Sequence, residues 1–95
     1  MFAIFRREQD WVVTKGEADH RGQPEVRCRH RSAEYCFRRG QRGGRTVWLC
    51  WRRRKLFFTS VLEPVGRNEG AAIAQRADAM LRSLEPTAEV HFDDE

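Results

Sequence analysis

A chain of 95 residues is long enough for one domain and too short for two independent cores. Hydrophobic residues (40%) fall in clusters despite a charged content of 34% and a net charge of +4, which indicates a folded chain rather than a disordered one. No apolar run reaches the roughly 18 residues of a membrane span, and arginine follows the opening MFAIF too soon for a secretory signal. We therefore expect no membrane contact, and the odd count of three cysteines favours reduced thiols in the cytoplasm.

The first two predicted elements are short strands over residues 2–7 and 11–15, joined by a polar turn. Their alternation of apolar and polar residues is imperfect, so we expect both faces of this hairpin to be partly covered. Residues 16–24 have the composition of a loop.

The clearest strand pattern lies in residues 25–31, where apolar side chains alternate with Glu25 and three arginines. A second strand over residues 35–39 is expected to pair with it around a four-residue loop. In that register the opposed pairs are His30–Tyr35 and Cys28–Phe37. Cys28 and Cys36 then lie on opposite faces of the sheet.

Residues 40–44 (GQRGG) predict a flexible turn, and residues 45–62 predict a further hairpin with strands at 45–51 and 56–62. Its tip would be the four adjacent cations from Arg52 to Lys55. Pairing Trp51 with Leu56 across that tip leaves apolar side chains on both faces, which is typical of a strand pair covered on both sides.

A helix is predicted over residues 69–84, with Asn68 as its N-cap and Glu69 in its first turn. Its apolar stripe consists of Ile73, Ala77, Met80, Leu81 and Leu84. Pro86 prevents its continuation. Residues 89–92 predict a short strand, and residues 93–95 form an acidic tail.

These elements predict an α+β fold in which residues 1–92 form a single domain. We expect a curled antiparallel sheet of about five to six strands with one C-terminal helix packed on one face. One apolar stripe covers only one face of the sheet. The other face would be buried by curling, by a ligand or by a second copy of the chain, and we expect a homodimer.

Charge is distributed unevenly along the chain. Residues 1–20 carry a net charge of −1, residues 21–55 carry +10 and residues 56–95 carry −5. The basic middle segment indicates a basic surface for a negatively charged partner, although the excess of arginine (16) over lysine (2) is also typical of a GC-rich genome.

The pattern favours nucleic-acid binding, preferably of single-stranded DNA or RNA, because cations bind phosphates and aromatic rings stack on unpaired bases. The candidate phosphate-binding residues are Arg27, Arg29, Arg38, Arg42, Arg45, Arg52, Arg53, Arg54 and Lys55, and the candidate stacking residues are Trp48 and Phe57. The acidic tail would lie on this patch and compete with the ligand.

The sequence also bears on three other interpretations. Zinc-binding atoms are present in His20, Cys28, His30, Cys36 and Cys50 without the usual close spacing. The predicted faces also separate Cys28 from Cys36, so we expect no metal. The chain contains none of four catalytic or cofactor motifs, namely GxSxG, the P-loop, HExxH and GxGxxG. We therefore expect neither catalysis nor a cofactor. The alternative function is a small protein–protein interaction module, or an inhibitor or regulator of the mobile-element type, whose basic patch docks on an acidic protein partner.

Overall fold

The computed structural model describes residues 11–17 and 22–94 of the chain. The predicted strand over residues 2–7 lies outside the described residues. The elements, in chain order, are β1 (Trp11–Glu17), β2 (Pro24–His30), β3 (Ala33–Arg42), β4 (Arg45–Leu56), β5 (Thr59–Pro64), α1 (Arg67–Leu84) and β6 (Glu89–His91). The predicted α+β class, a sheet with one C-terminal helix, is confirmed.

The sheet is an antiparallel meander in the order β1-β2-β3-β4-β5. The short strand β6 pairs in parallel with β4, through Val47 to Leu49, on the same side of β4 as β5. Strands β5 and β6 thus lie end to end along β4, and β4 is the most extensively paired strand of the sheet.

The β2–β3 hairpin differs from the prediction in the length of its loop. Its turn is only Arg31 and Ser32, and Cys28 pairs with Tyr35 rather than with Phe37. The register has shifted by two residues, so every side chain keeps its predicted face. Cys28 and Cys36 lie on opposite faces, as predicted.

The glycine-rich segment at residues 40–44 is mostly strand. Gly40 pairs with Val47 inside the β3–β4 ladder, and only Gly43 and Gly44 form the turn. Both have positive φ values, 58° and 76°, which two-residue hairpin turns require and glycine adopts without strain.

The predicted turn at Arg52–Lys55 is wrong. β4 continues through all four cations to Leu56, and the turn consists of Phe57 and Phe58. Trp51 therefore pairs with Pro64 instead of Leu56. A strand can contain these four charges because successive side chains point to alternate faces of the sheet. In addition, each of the three arginines forms an ion pair with a carboxylate.

The core lies between α1 and one face of the sheet, here called the helix face. It combines Ile73, Ala77 and Leu81 of the predicted apolar stripe with sheet residues, and Met80 and Leu84 pack at its margin. The sheet contributes the buried side chains of Val26, Cys28, Phe37, Trp48 and Cys50. The other side of the sheet, here called the opposite face, presents Arg27, Arg29, Cys36, Arg38, Leu49, Trp51 and Arg53 by the alternation of the strands.

The start of α1 and the acidic tail also differ from the prediction. The helix begins at Arg67 after Gly66, and no side chain at the N-cap position makes a capping hydrogen bond. Instead Asp94 folds back, and its carboxylate oxygens accept the Arg67 backbone N–H at 3.1 Å. Asp94 therefore lies on the helix N-terminus and not on the basic residues. Among the described residues, no helix has the length and apolar character needed to cross a membrane.

Candidate functional site

A cleft of about 570 Å³ separates the β2–β3 turn from the end of the β4–β5 hairpin. Its lining, here called the basic cleft, consists of Arg29, Arg31, Ser32, Ala33, Glu34, Arg52, Arg53, Arg54 and Lys55. Six of these nine residues are cations and one is a carboxylate. The fold thus gathers part of the basic middle segment around one concavity.

Unequal strand lengths create this cleft. The β3–β4 ladder ends at the pair Glu34–Arg53, whereas the β4–β5 ladder continues to Leu56–Thr59. The end of the β4–β5 hairpin therefore projects past the β2–β3 turn. By alternation Arg53 and Lys55 point to the opposite face, where Arg29 also lies.

Carboxylates partly neutralise the cleft. Arg53 Nε lies 3.6 Å from Glu34 Oε1, and Arg54 Nη1 donates to Glu63 Oε1 at 2.8 Å. Arg52 turns to the helix face and donates to Glu69 at 2.5 Å. In the described part of the chain no carboxylate forms an ion pair with Arg29, Arg31 or Lys55. Among the described residues, these three cations therefore carry the unneutralised positive charge of the cleft.

Two phenylalanines, Phe57 and Phe58, form the turn beyond the cleft and are here called the aromatic tip. Both side chains are fully exposed. Phe57 also has a φ of 52°, a left-handed conformation that bulky residues rarely adopt. Neither packing nor backbone preference explains phenylalanine at this turn.

A smaller depression of about 160 Å³ continues from the cleft toward β1 and shares Arg29 and Glu34 with it. Its other lining residues are Val12, Thr14, Arg27 and Cys28. The two concavities are adjacent, since they share part of their lining.

Arg27, which lines the smaller depression, and Arg38 are both held by one buried acid. The Glu25 carboxylate has no solvent exposure and pairs with the Nε atoms of both arginines. The hydrogen bond to Glu25 raises the pKa of Arg27 above its usual value. These two arginines are therefore part of a structural ion-pair cluster.

The structure brings only some of the predicted site residues together. Arg29, Arg52, Arg53, Arg54 and Lys55 line the basic cleft, Arg27 lies in the adjoining depression, and Phe57 is on the aromatic tip. Arg42 and Arg45 lie at the other end of the β3–β4 hairpin, where Arg45 pairs with Glu89.

Trp48 is not a stacking residue. Its side chain is fully buried on the helix face, and the Arg39 guanidinium lies 5.6 Å from its ring centroid. The expectation of an exposed Trp48 is wrong, because the apolar face predicted to remain open is the one that α1 covers.

Two residues of the site, Arg31 and Phe58, are not among those that the sequence predicts. The sequence pattern predicts Arg31 in a strand, but it occupies the β2–β3 turn with a φ of 57°. The pattern also predicts Phe58 inside a strand, because the four adjacent charges are the stronger turn signal. Only the strand register shows that Phe58, like Phe57, is exposed and has no apolar partner in the described residues.

All three cysteines are free and buried. Burial raises the pKa of Cys28 and of Cys50 to about 12, and burial also raises that of Cys36. Among residues 11–17 and 22–94, no group of three histidine, cysteine or acidic side chains is arranged to hold a metal ion.

The comparisons with known proteins found no matching family model, no similar curated protein and no similar solved structure.

Proposed function

We propose that the protein is a non-catalytic nucleic-acid-binding domain that prefers single-stranded DNA or RNA. The observation that supports this most strongly is the basic cleft with two fully exposed phenylalanines beside it. Cationic side chains bind phosphates, and flat apolar rings stack on unpaired bases. The end of the β4–β5 hairpin carries both kinds of side chain.

In this proposal the backbone of the nucleic acid enters the basic cleft. Arg29, Arg31 and Lys55 bind phosphates directly, since no carboxylate of the described residues competes for them. Arg53 and Arg54 join when phosphate replaces Glu34 and Glu63, both of which are accessible to solvent. The bases beyond the cleft then stack on Phe57 and Phe58.

The proposal gives Arg42 and Arg45 a secondary role. They stand eight residues along β3 and β4 from the cleft, a distance of about 26 Å in a strand. A longer single strand that follows the opposite face past Arg38 would reach them, so their contribution is expected only with longer oligonucleotides.

The proposal places the protein in the cytoplasm, where its three unpaired, buried cysteines stay reduced. An acidic protein is the alternative partner, because the same cleft would accept carboxylates.

The test is a titration of the protein with single-stranded DNA, RNA, duplex DNA and heparin at several salt concentrations. We expect the single strands to bind best, with log K falling against log salt by about 0.7 for each phosphate neutralised. Removing two unneutralised cations, R31Q with K55Q, should lower that slope by about 1.4.

The matched control is R82Q, which removes an exposed cation on α1 that, in the part of the chain the structure describes, pairs with Asp78 alone. It should leave affinity and slope unchanged. A protein that binds none of the four polyanions at low salt would overturn the proposal in favour of the acidic protein partner.

A further inference from the structure

The exposed apolar side chains are concentrated on one hairpin. Of the five large hydrophobic residues that the structure shows exposed, four belong to the end of the β4–β5 hairpin: Leu56, Phe57, Phe58 and Val61. The fifth, Val12, lies on β1. Apolar groups gathered in this way on a small protein mark an interaction surface.

The same hairpin supplies an unprotected sheet edge. β5 ends the strand order, and the main contacts of α1 are with β1, β2 and β4. Within the described residues no strand pairs with the outer side of β5. Its sequence TSVLEP contains no lysine or arginine, and the charge and the proline that discourage edge pairing, Glu63 and Pro64, stand only at the end of the strand.

The turn determines which backbone groups of β5 are free. In a two-residue hairpin the flanking residues, here Leu56 and Thr59, form a hydrogen-bonded pair, and such pairs alternate along the ladder. Thr59, Val61 and Glu63 therefore bond to β4, while Ser60, Leu62 and Pro64 point outward. Pro64 has no N–H to donate, which agrees with its outward position.

We propose that β5 pairs antiparallel with β5 of a second copy, which joins the two sheets into one continuous sheet with two-fold symmetry. The favoured register places Val61 on the axis and each Ser60 opposite Leu62 of the other copy. Both residues then donate and accept, giving four backbone hydrogen bonds. A shift that centres the pairing on Leu62 would oppose Ser60 to Pro64 and lose donors.

The side chains are self-complementary in this register. Val61 packs on its own counterpart as a β-branched cross-strand pair. Phe58 aligns with Pro64 of the other copy, beside which lies the half-buried ring of Trp51. The basic end of one hairpin, with Arg54 and Lys55, lies along the end of the other hairpin that carries Glu63. These matches favour a second copy over an unrelated strand as the occupant.

Sedimentation over a concentration series tests the dimer. We expect the wild-type protein to dimerise and V61K to weaken dimerisation more than tenfold, because two lysines would oppose each other on the axis. The control V12K alters the other exposed valine, which is 42% exposed against 37% for Val61, and should dimerise normally. Monomeric wild-type protein at high concentration, or V61K that dimerises normally, would overturn the proposal.

Oxidative crosslinking tests the register independently of any loss of folding. V61C should form a disulfide-linked dimer, because a non-hydrogen-bonded pair brings two Cβ atoms to about 4.5 Å. V12C should not. The native cysteines do not interfere, since all three are buried. Failure of V61C to crosslink would contradict pairing centred on Val61, whether or not the protein binds nucleic acid.

Discussion

At the scale of single residues, Phe57 departs from local preference in both its backbone conformation and its exposure. A positive φ costs a residue with a Cβ atom about 1–2 kcal/mol, and Phe57 has a φ of 52° with a fully exposed ring. Folding gains nothing from that ring. Strained residues of this kind cluster at binding sites. The strain at Phe57 therefore agrees with the proposal that its ring contacts a binding partner.

Replacing Phe57 by glycine should therefore stabilise the protein and weaken its binding. The relief of strain exceeds the entropy that glycine adds to the unfolded chain, about 0.5–1 kcal/mol, so we expect a net gain of up to about 1 kcal/mol. Affinity for single strands should fall by about 1–3 kcal/mol for the lost stacking platform. Urea denaturation and the oligonucleotide titration measure the two effects.

Phe58 provides the matched control because it is equally exposed and does not have a positive φ. F58G should weaken binding as well but should lower stability rather than raise it. If F57G destabilised the fold as much as F58G, the left-handed conformation would not be the source of strain.

At the scale of elements, α1 depends on the chain that follows it. The Asp94 carboxylate receives the Arg67 N–H, and Phe92 lies so close to Gly70 that a Cβ atom added there would stand 2.3 Å from its ring. The backbone N–H of Asp93 also donates to Val65 at 3.5 Å. The C-terminal segment thus fixes the start of the helix.

Replacing Asp94 by alanine should cost about 1 kcal/mol of unfolding free energy, since it removes an N-terminal acceptor and a favourable charge at the helix dipole. D94N should cost less because its side-chain oxygen still accepts. D93A is the control and should change stability by less than about 0.5 kcal/mol. If N68A were the costly substitution instead, Asn68 would be the cap after all.

The sequence predicts elements well where one pattern dominates and poorly where two compete. The helix stripe through Ile73, Ala77 and Leu81 appears as predicted because a single apolar face has one way to pack. The β4–β5 hairpin was misplaced because four adjacent cations resemble a turn, whereas the strand continues to Leu56. Its register depends on carboxylates distant in sequence, Glu69 among them, that no local pattern reveals.

At the scale of the whole molecule, the charge asymmetry of the sequence has two outcomes. Part of the positive charge of the middle segment is neutralised within the protein, because acids of the C-terminal segment form ion pairs with its arginines. These pairs are Arg39–Glu85, Arg45–Glu89, Arg52–Glu69 and Arg54–Glu63. Of the cations without such a pair in the described residues, Arg29, Arg31 and Lys55 lie in the basic cleft. The composition predicted a basic surface, but the location of the unneutralised charge depends on strand lengths.

The cysteines lie on the three central strands β2, β3 and β4, so their ionisation reports on the opening of the whole sheet. Because Cys28 and Cys50 titrate near 9.0 when unfolded and about 12 when folded, their contribution to stability is complete below pH 9. It is lost as pH rises from 9 to 12, by up to about 4 kcal/mol per thiol.

We therefore expect the urea midpoint of the wild-type protein to fall steeply between pH 9 and pH 12. C50A starts from a lower midpoint because of its cavity, but it should lose less over the same interval. Equal losses in the two proteins would show that other groups, such as Tyr35, govern alkaline unfolding.

At pH 8 the native thiols should react with a disulfide reagent only as fast as the sheet opens, and urea should accelerate the reaction of all three thiols together.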